Sequence, residues 1–119
     1  MTPYRFRNIA RRAIASLPEA LRPYADECMM TVRRQPSKKL RRELGLKPND
    51  VLFGLYQGTL VGGRRYHAVM PPRIILFYDA LVEACRTDDQ LEREIRRTVL
   101  HEIGHHFGMD EDQLDELGY

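Results

Sequence analysis

Two histidines and two glutamates in the run His101-Glu102-Ile103-Gly104-His105-His106-Phe107-Gly108-Met109-Asp110-Glu111 are the residues whose types and spacing could do chemistry. On a helix, His101 and His105 lie one turn apart and face the same way, so two neutral imidazole nitrogens can close on one cation. Glu102 is rotated about 100° from His101. That places it beside the pair, where a carboxylate can take a proton from a metal-activated water as general base. Gly108 can adopt the left-handed conformation that ends a helix; the chain then turns back, and Glu111, three residues on, approaches from outside the helix. Two imidazoles, one carboxylate and an open position for water make a zinc site of the catalytic type.

Each of these residues has a plainer reading. A chance H-E-x-x-H in a chain of this length has odds on the order of one in a few hundred, which favours the metal for the histidine pair. Glu111 stands between Asp110 and Asp112, and Asp110-x-x-Gln113 reads as a capping box opening a short last helix, where acidic residues belong in any case. Asp112, a water or a distant residue are therefore the alternatives for the third ligand. His106 falls on the apolar side of the helix with Val99 and Ile103, and reads as a hydrogen-bonded core histidine or a neighbour of the ligands.

The elements that must position these groups follow from periodicity. Thr87-x-x-Gln90 is a capping box, with Asp88 and Asp89 adding favourable charge at a helix start. Leu91, Ile95, Val99 and Ile103 then define a buried stripe that Leu100 and Phe107 widen. Ahead of it, Arg73 to Tyr78 is the most strand-like segment and is expected at or near the centre of a sheet. Asp79 to Cys85 reads as a short helix capped by Asp79. Residues 4–16 form an amphipathic helix through Phe6, Ile9, Ala10, Ala13 and Ile14. Pro18 and Pro23 leave at most a turn near residues 19–21. Cys28 to Arg33 suits a first strand and Val51 to Gln57 a second. Residues 35–50 read as a basic surface loop with a helical turn at 38–44 that helps to shape the substrate cleft. Gly58 to Gly63 suggests a hairpin, and Tyr66 to Met70 fits either strand or loop.

Bulk properties bound the answer. With 119 residues, 43% hydrophobic and 30% charged, the chain reads as one soluble globular domain spanning residues 1–119. Cys28 and Cys85 lack C-x-x-C spacing and suit free thiols in a reducing compartment, so the expected location is cytoplasmic, with a disulfide left open. Arg11-Arg12 is followed by an apolar run too short for an export signal, and no stretch reaches bilayer length, so no membrane partner is expected. Residues 1–50 carry 12 Lys+Arg against 5 Asp+Glu, and residues 51–119 carry 7 against 12. The basic first half, with Lys38-Lys39-Leu40-Arg41-Arg42, could face phosphate backbones or acidic substrates, although no aromatic interleaving or glycine-rich phosphate loop accompanies it.

The run His101 to Glu111, led in by Arg96-Arg97-Thr98-Val99-Leu100 and followed by Leu114-x-x-Leu117-Gly118-Tyr119, resembles the small bacterial zincin-like metallopeptidases. These are minimal metalloprotease-like domains with a metzincin-like motif. The resemblance extends to Asn49-Asp50-Val51-Leu52-x-Gly54-Leu55-Tyr56-x-Gly58, to Pro72-Arg73-Ile74 and to the helix ending at Leu17-Pro18. It implies a compact α+β fold: a small mixed β-sheet packed on an N-terminal helix and a C-terminal metal-binding helix. It further implies Zn2+ as cofactor, a peptide or protein substrate held by strand addition at a sheet edge, and hydrolysis with Glu102 passing the proton to the leaving amine. In the metzincin pattern H-E-x-x-H-x-x-G-x-x-H a histidine occupies the position of Glu111. Larger metzincins also place a methionine turn after the third ligand. No methionine follows Glu111 here, so Met70 is the upstream candidate. For the tyrosine that larger metzincins use at the transition state, Tyr56, Tyr66, Tyr78 and Tyr119 are the candidates.

Two other classes compete. A metal-dependent endoribonuclease of the ribosomal-RNA maturation type would suit the basic first half, yet that family resembles H-G-x-x-H and lacks the base that Glu102 offers. A zinc-binding adaptor that keeps the ligands without turnover is the non-enzymatic alternative. Substrate, endo- or exo-cleavage and oligomeric state are not encoded legibly.

Overall fold

Arg73–Phe77 (β5) takes the centre of a three-stranded sheet in order β1-β5-β2. The computed structural model describes residues 1–58, 60–61, 64–65 and 72–117. Met29–Arg33 (β1) runs parallel to β5, and Gly54–Gln57 (β2) antiparallel with Leu55 opposite Ile75, so the sheet is mixed. Side chains alternate across a strand. Accordingly Ile74 and Leu76 join the main hydrophobic core, while Ile75 and Phe77, equally buried, face the other side. A separate two-stranded antiparallel sheet pairs Leu60–Val61 (β3) with Arg64–Arg65 (β4); the segment Tyr66 to Met70 lies outside the described residues.

Two helices close the main core. Pro3–Ala15 (α1) opens with the Thr2 hydroxyl accepting the Arg5 amide at 3.1 Å and with proline in its first turn, where a missing N–H costs nothing. Its buried face of Phe6, Ile9, Ala10 and Ala13 lies against Asp88–His106 (α5). Thr87 caps α5 by accepting the Gln90 amide at 3.1 Å. The reciprocal bond slips by one residue, because Gln90 accepts from the Arg86 amide at 2.7 Å rather than from Thr87.

The structure departs from the sequence expectations in three places. Arg22–Glu27 is a helix (α2), since Pro23 sits in its first turn rather than interrupting it. Lys38–Glu43 (α3), capped by Ser37, is the helical segment expected at 38–44. Val51 to Phe53 are not strand, and β2 starts only at Gly54. Tyr78–Ala84 (α4) follows β5 directly without a side-chain cap. Asp79 instead accepts from Gln35 Nε2 at 3.0 Å and from Arg34 Nε at 3.4 Å. Among the described residues no helix is long and apolar enough to cross a membrane.

Candidate metal centre

The end of α5 is built to turn the chain back on itself. Phe107 is the last cap residue, and Gly108 follows with φ +83°, a left-handed conformation that a side chain would strain. The Gly108 amide bonds the His105 carbonyl at 3.1 Å, and the Met109 amide bonds the Gly104 carbonyl at 2.8 Å. These two bonds are the Schellman termination. Two residues later Asp110 opens Glu111–Glu116 (α6) with a complete capping box: Asp110 Oδ1 accepts the Gln113 amide at 2.8 Å and Gln113 Oε1 accepts the Asp110 amide at 2.9 Å. The capping box and Glu111 are therefore compatible roles of adjacent residues.

Glu111 returns to the histidine pair. Its Oε1 lies 2.8 Å from His105 Nε2 and 3.4 Å from His101 Nδ1. One ligand atom from each of His101, His105 and Glu111 lies within 4.8 Å of the others. His101 is the most sheltered of the three, its side chain 19% exposed, against 47% for His105 and 61% for Glu111, so the group opens to solvent on the Glu111 side. His101 Nε2 is buried without a hydrogen-bond partner among the described residues. That is the ring nitrogen turned away from Glu111, while Nδ1 is the one that faces the carboxylate. Two imidazoles and a carboxylate are a zinc donor set, so the residues fit the metal.

Glu102 reaches the sheet while lining the same cavity as His101 and Glu111. Its Oε1 accepts the Tyr56 amide of β2 at 2.9 Å. The Phe77 amide bonds the Phe53 carbonyl at 2.9 Å, and hydrogen-bonding positions alternate along an antiparallel strand, so the Tyr56 amide points off the sheet edge, toward α5. The strand approaches this closely because Gly54 has no side chain: a Cβ there would stand 2.8 Å from Thr98 Cγ2 and 3.0 Å from the Ile75 carbonyl. Strand addition along β2 therefore meets an edge whose Tyr56 donor is already engaged.

A cavity of about 360 Å³ lies over this arrangement, lined by Leu52, Phe53, Gly54, Glu94, Arg97, Thr98, His101, Glu102 and Glu111. Three carboxylates against one guanidinium give it a field that draws cations. Glu94, Arg97 and Thr98 were missed from sequence, although they precede His101 by seven, four and three residues and so share its helix face. A larger cavity of about 880 Å³ is also lined by Leu52 and Phe53, together with Arg34, Lys38, Arg41 and Phe77. Residues of the 35–50 segment line this larger cavity and not the one at His101, Glu102 and Glu111. Arg41 in the basic run is committed locally, donating to the Lys47 carbonyl at 2.6 Å and to those of Asp50 and Pro48 at 3.3 and 3.4 Å.

Other sequence candidates fall elsewhere. Asp112 is not in the cluster. His106 is exposed rather than in the core, its ring centroid 4.1 Å from that of Tyr56. Phe107, 45% exposed, does not extend the buried stripe; it stacks on Tyr24 with centroids 4.2 Å apart. Tyr78 is spent on the Met1 carbonyl at 2.8 Å. The Tyr56 phenol is pushed above its ordinary range by burial, and further by Cys28 and Glu27. Tyr66, Met70 and Tyr119 lie outside the described residues.

Comparison with known proteins gives a family and a fold. Residues 25–119 match the model of a family described as zincin-like metallopeptidase. No curated protein matches the sequence. Among solved structures, a conserved hypothetical protein from T. thermophilus is similar, with a TM-score of 0.59 and 20% identity over 89% of this chain and 94% of that one. At that identity the likeness speaks for the fold alone.

Proposed function

We propose a function from the premise that this chain belongs to the zincin-like metallopeptidase family, as the match over residues 25–119 shows: it is a zinc-dependent peptide hydrolase. His101, His105 and Glu111 hold the metal. When bound, zinc supplies a Lewis-acid centre that polarises a scissile carbonyl and makes water a better nucleophile at neutral pH.

The chain's own residues supply the rest. Glu102 is anchored through Oε1 by the Tyr56 amide, which leaves Oε2 to take the proton from attacking water and hand it to the departing amine. The open side of the ligand group, where Glu111 is 61% exposed, admits the substrate. The reading is carried by one observation: Glu111 Oε1 lies against a ring nitrogen of each histidine, while Glu102, held by the Tyr56 amide, lines the same cavity as His101 and Glu111. Ligation and proton transfer thus fall to two different carboxylates.

Metal content by plasma emission on protein purified without chelator tests the reading. Near-stoichiometric zinc in the wild type, lost in His105→Ala and weakened in Glu111→Ala, is the expected result. A wild type that takes up no zinc even when incubated with it would end the peptidase reading.

A further inference from the structure

The Glu111 carboxylate reaches the histidines only if α6 is held at the right height beside α5, and the chain turn at Gly108 does not by itself hold it. A helix of six residues has little stability of its own in water, so its position depends on what it docks against. Leu114 is its one fully buried residue. Its side chain occupies the space that a side chain on Gly104 would need: a Cβ built there overlaps Leu114 Cδ2 and stands 3.4 Å from Cδ1 and Cγ. Gly104 lies between His101 and His105 on the same helix, and its carbonyl also accepts the Met109 amide that ends α5. The slot is therefore cut into the segment that carries the two imidazoles, and the residue filling it stands three positions after Glu111, one turn along α6.

We propose that Gly104 and Leu114 are positioning residues for the third ligand, a slot and an insert that set the Glu111 carboxylate onto the His101–His105 pair. The inference rests on the zinc-site reading above. Leu114→Ala empties the slot and releases α6. Gly104→Ala fills part of it and forces the Leu114 Cδ2 methyl to move. Both act at a distance from the metal, and both should weaken zinc binding by about 10–100-fold, the range for groups that orient ligands. Because they act through Glu111, neither should weaken it further in a chain that already carries Glu111→Ala.

The experiment is zinc affinity by competition with a chromophoric chelator for wild type, Leu114→Ala, Gly104→Ala and Glu111→Ala. The doubles Leu114→Ala/Glu111→Ala and Gly104→Ala/Glu111→Ala complete two double-mutant cycles. Visible absorption of the cobalt(II)-loaded proteins supplies a second readout. The expected result is that each single variant shifts toward the affinity and spectrum of Glu111→Ala while each double equals Glu111→Ala alone. Gly104→Ala keeps the comparison decisive if Leu114→Ala does not fold, because alanine is the better helix former. Unchanged affinity in both single variants, or equal losses with and without Glu111, would overturn the proposal. Zinc-free wild type would instead fail the underlying site reading, so the two failures are distinct.

Discussion

The Glu102 carboxylate accepts the backbone amide of Tyr56 at 2.9 Å across 46 positions of sequence, tying the residue beside the first histidine to the edge strand of the sheet. Glu102→Gln keeps an acceptor for that amide and removes the ability to take a proton. Turnover of a cleaved peptide should fall by about 10²–10⁴-fold with zinc retained. Glu102→Ala should lose turnover equally and in addition leave the partly buried Tyr56 amide unmatched, at a cost of about 1–3 kcal/mol. Zinc content, turnover and urea denaturation of the two variants separate the roles. A Glu102→Ala protein that retains activity would remove the mechanism.

That bond also marks how far the sequence was legible. The histidine pair and its helix could be read because ligand spacing, the Thr87 cap and the apolar stripe are all local. Gly108 was legible for the same reason, since a left-handed helix end is a one-residue property. The central place of Arg73–Phe77 followed from its β-branched and aromatic content. What could not be read depends on partners distant in the chain. Phe107 and His106 continue the apolar face on paper, but both are exposed and lie against Tyr24 and Tyr56. Pro23 was read as a breaker because its place in a first turn depends on a helix start that no capping side chain announces. Val51 to Phe53 have strand composition yet line two cavities.

Gly108 should resist substitution for a reason separate from the metal ligands. Its φ of +83° costs an L-residue roughly 1–2 kcal/mol, and a Cβ there would meet nothing within 4 Å, so crowding adds nothing. Gly108→Ala should therefore fold with a loss of that size in denaturant titration. Zinc affinity should fall as well, because the turn sets where α6 begins. A variant of unchanged stability would show that the left-handed turn is not kept in solution.

The contact of α1 with α5 offers a contrast of magnitudes. Arg12 pairs with Glu92 at 3.0 Å, but the two side chains are 61% and 29% exposed, and such pairs contribute about 0–1 kcal/mol. Phe6 is fully buried, its ring centroid 5.1 Å from that of Tyr78, and Phe→Ala in a core costs about 3–5 kcal/mol. Phe6→Ala should destabilise the protein several times more than Arg12→Ala, whose effect should shrink further in added salt. Thermal melts of the two variants at low and high ionic strength check this ordering; comparable losses would mean that charge, not packing, holds the helices together.

Cys28 gives a pH dependence of definite sign. Burial, and then the neighbouring Glu27 carboxylate, push its thiol from an ordinary 9.0 up to about 11, and the S–H donates to the Tyr24 carbonyl at 3.2 Å, a bond a thiolate cannot make. The folded chain thus keeps its proton where the unfolded chain has lost it. The corresponding stability is fully present below about pH 9 and is lost as pH rises from there through about 11. In a Cys85→Ser background, alkylation by iodoacetamide should be slow at pH 8 and rise with a midpoint near 11, since only the thiolate reacts. Replacing Cys28 by serine should flatten the alkaline limb of the stability curve relative to that background. A reaction midpoint near 9 would place the thiol in water and detach it from the packing around Tyr24 and Tyr56.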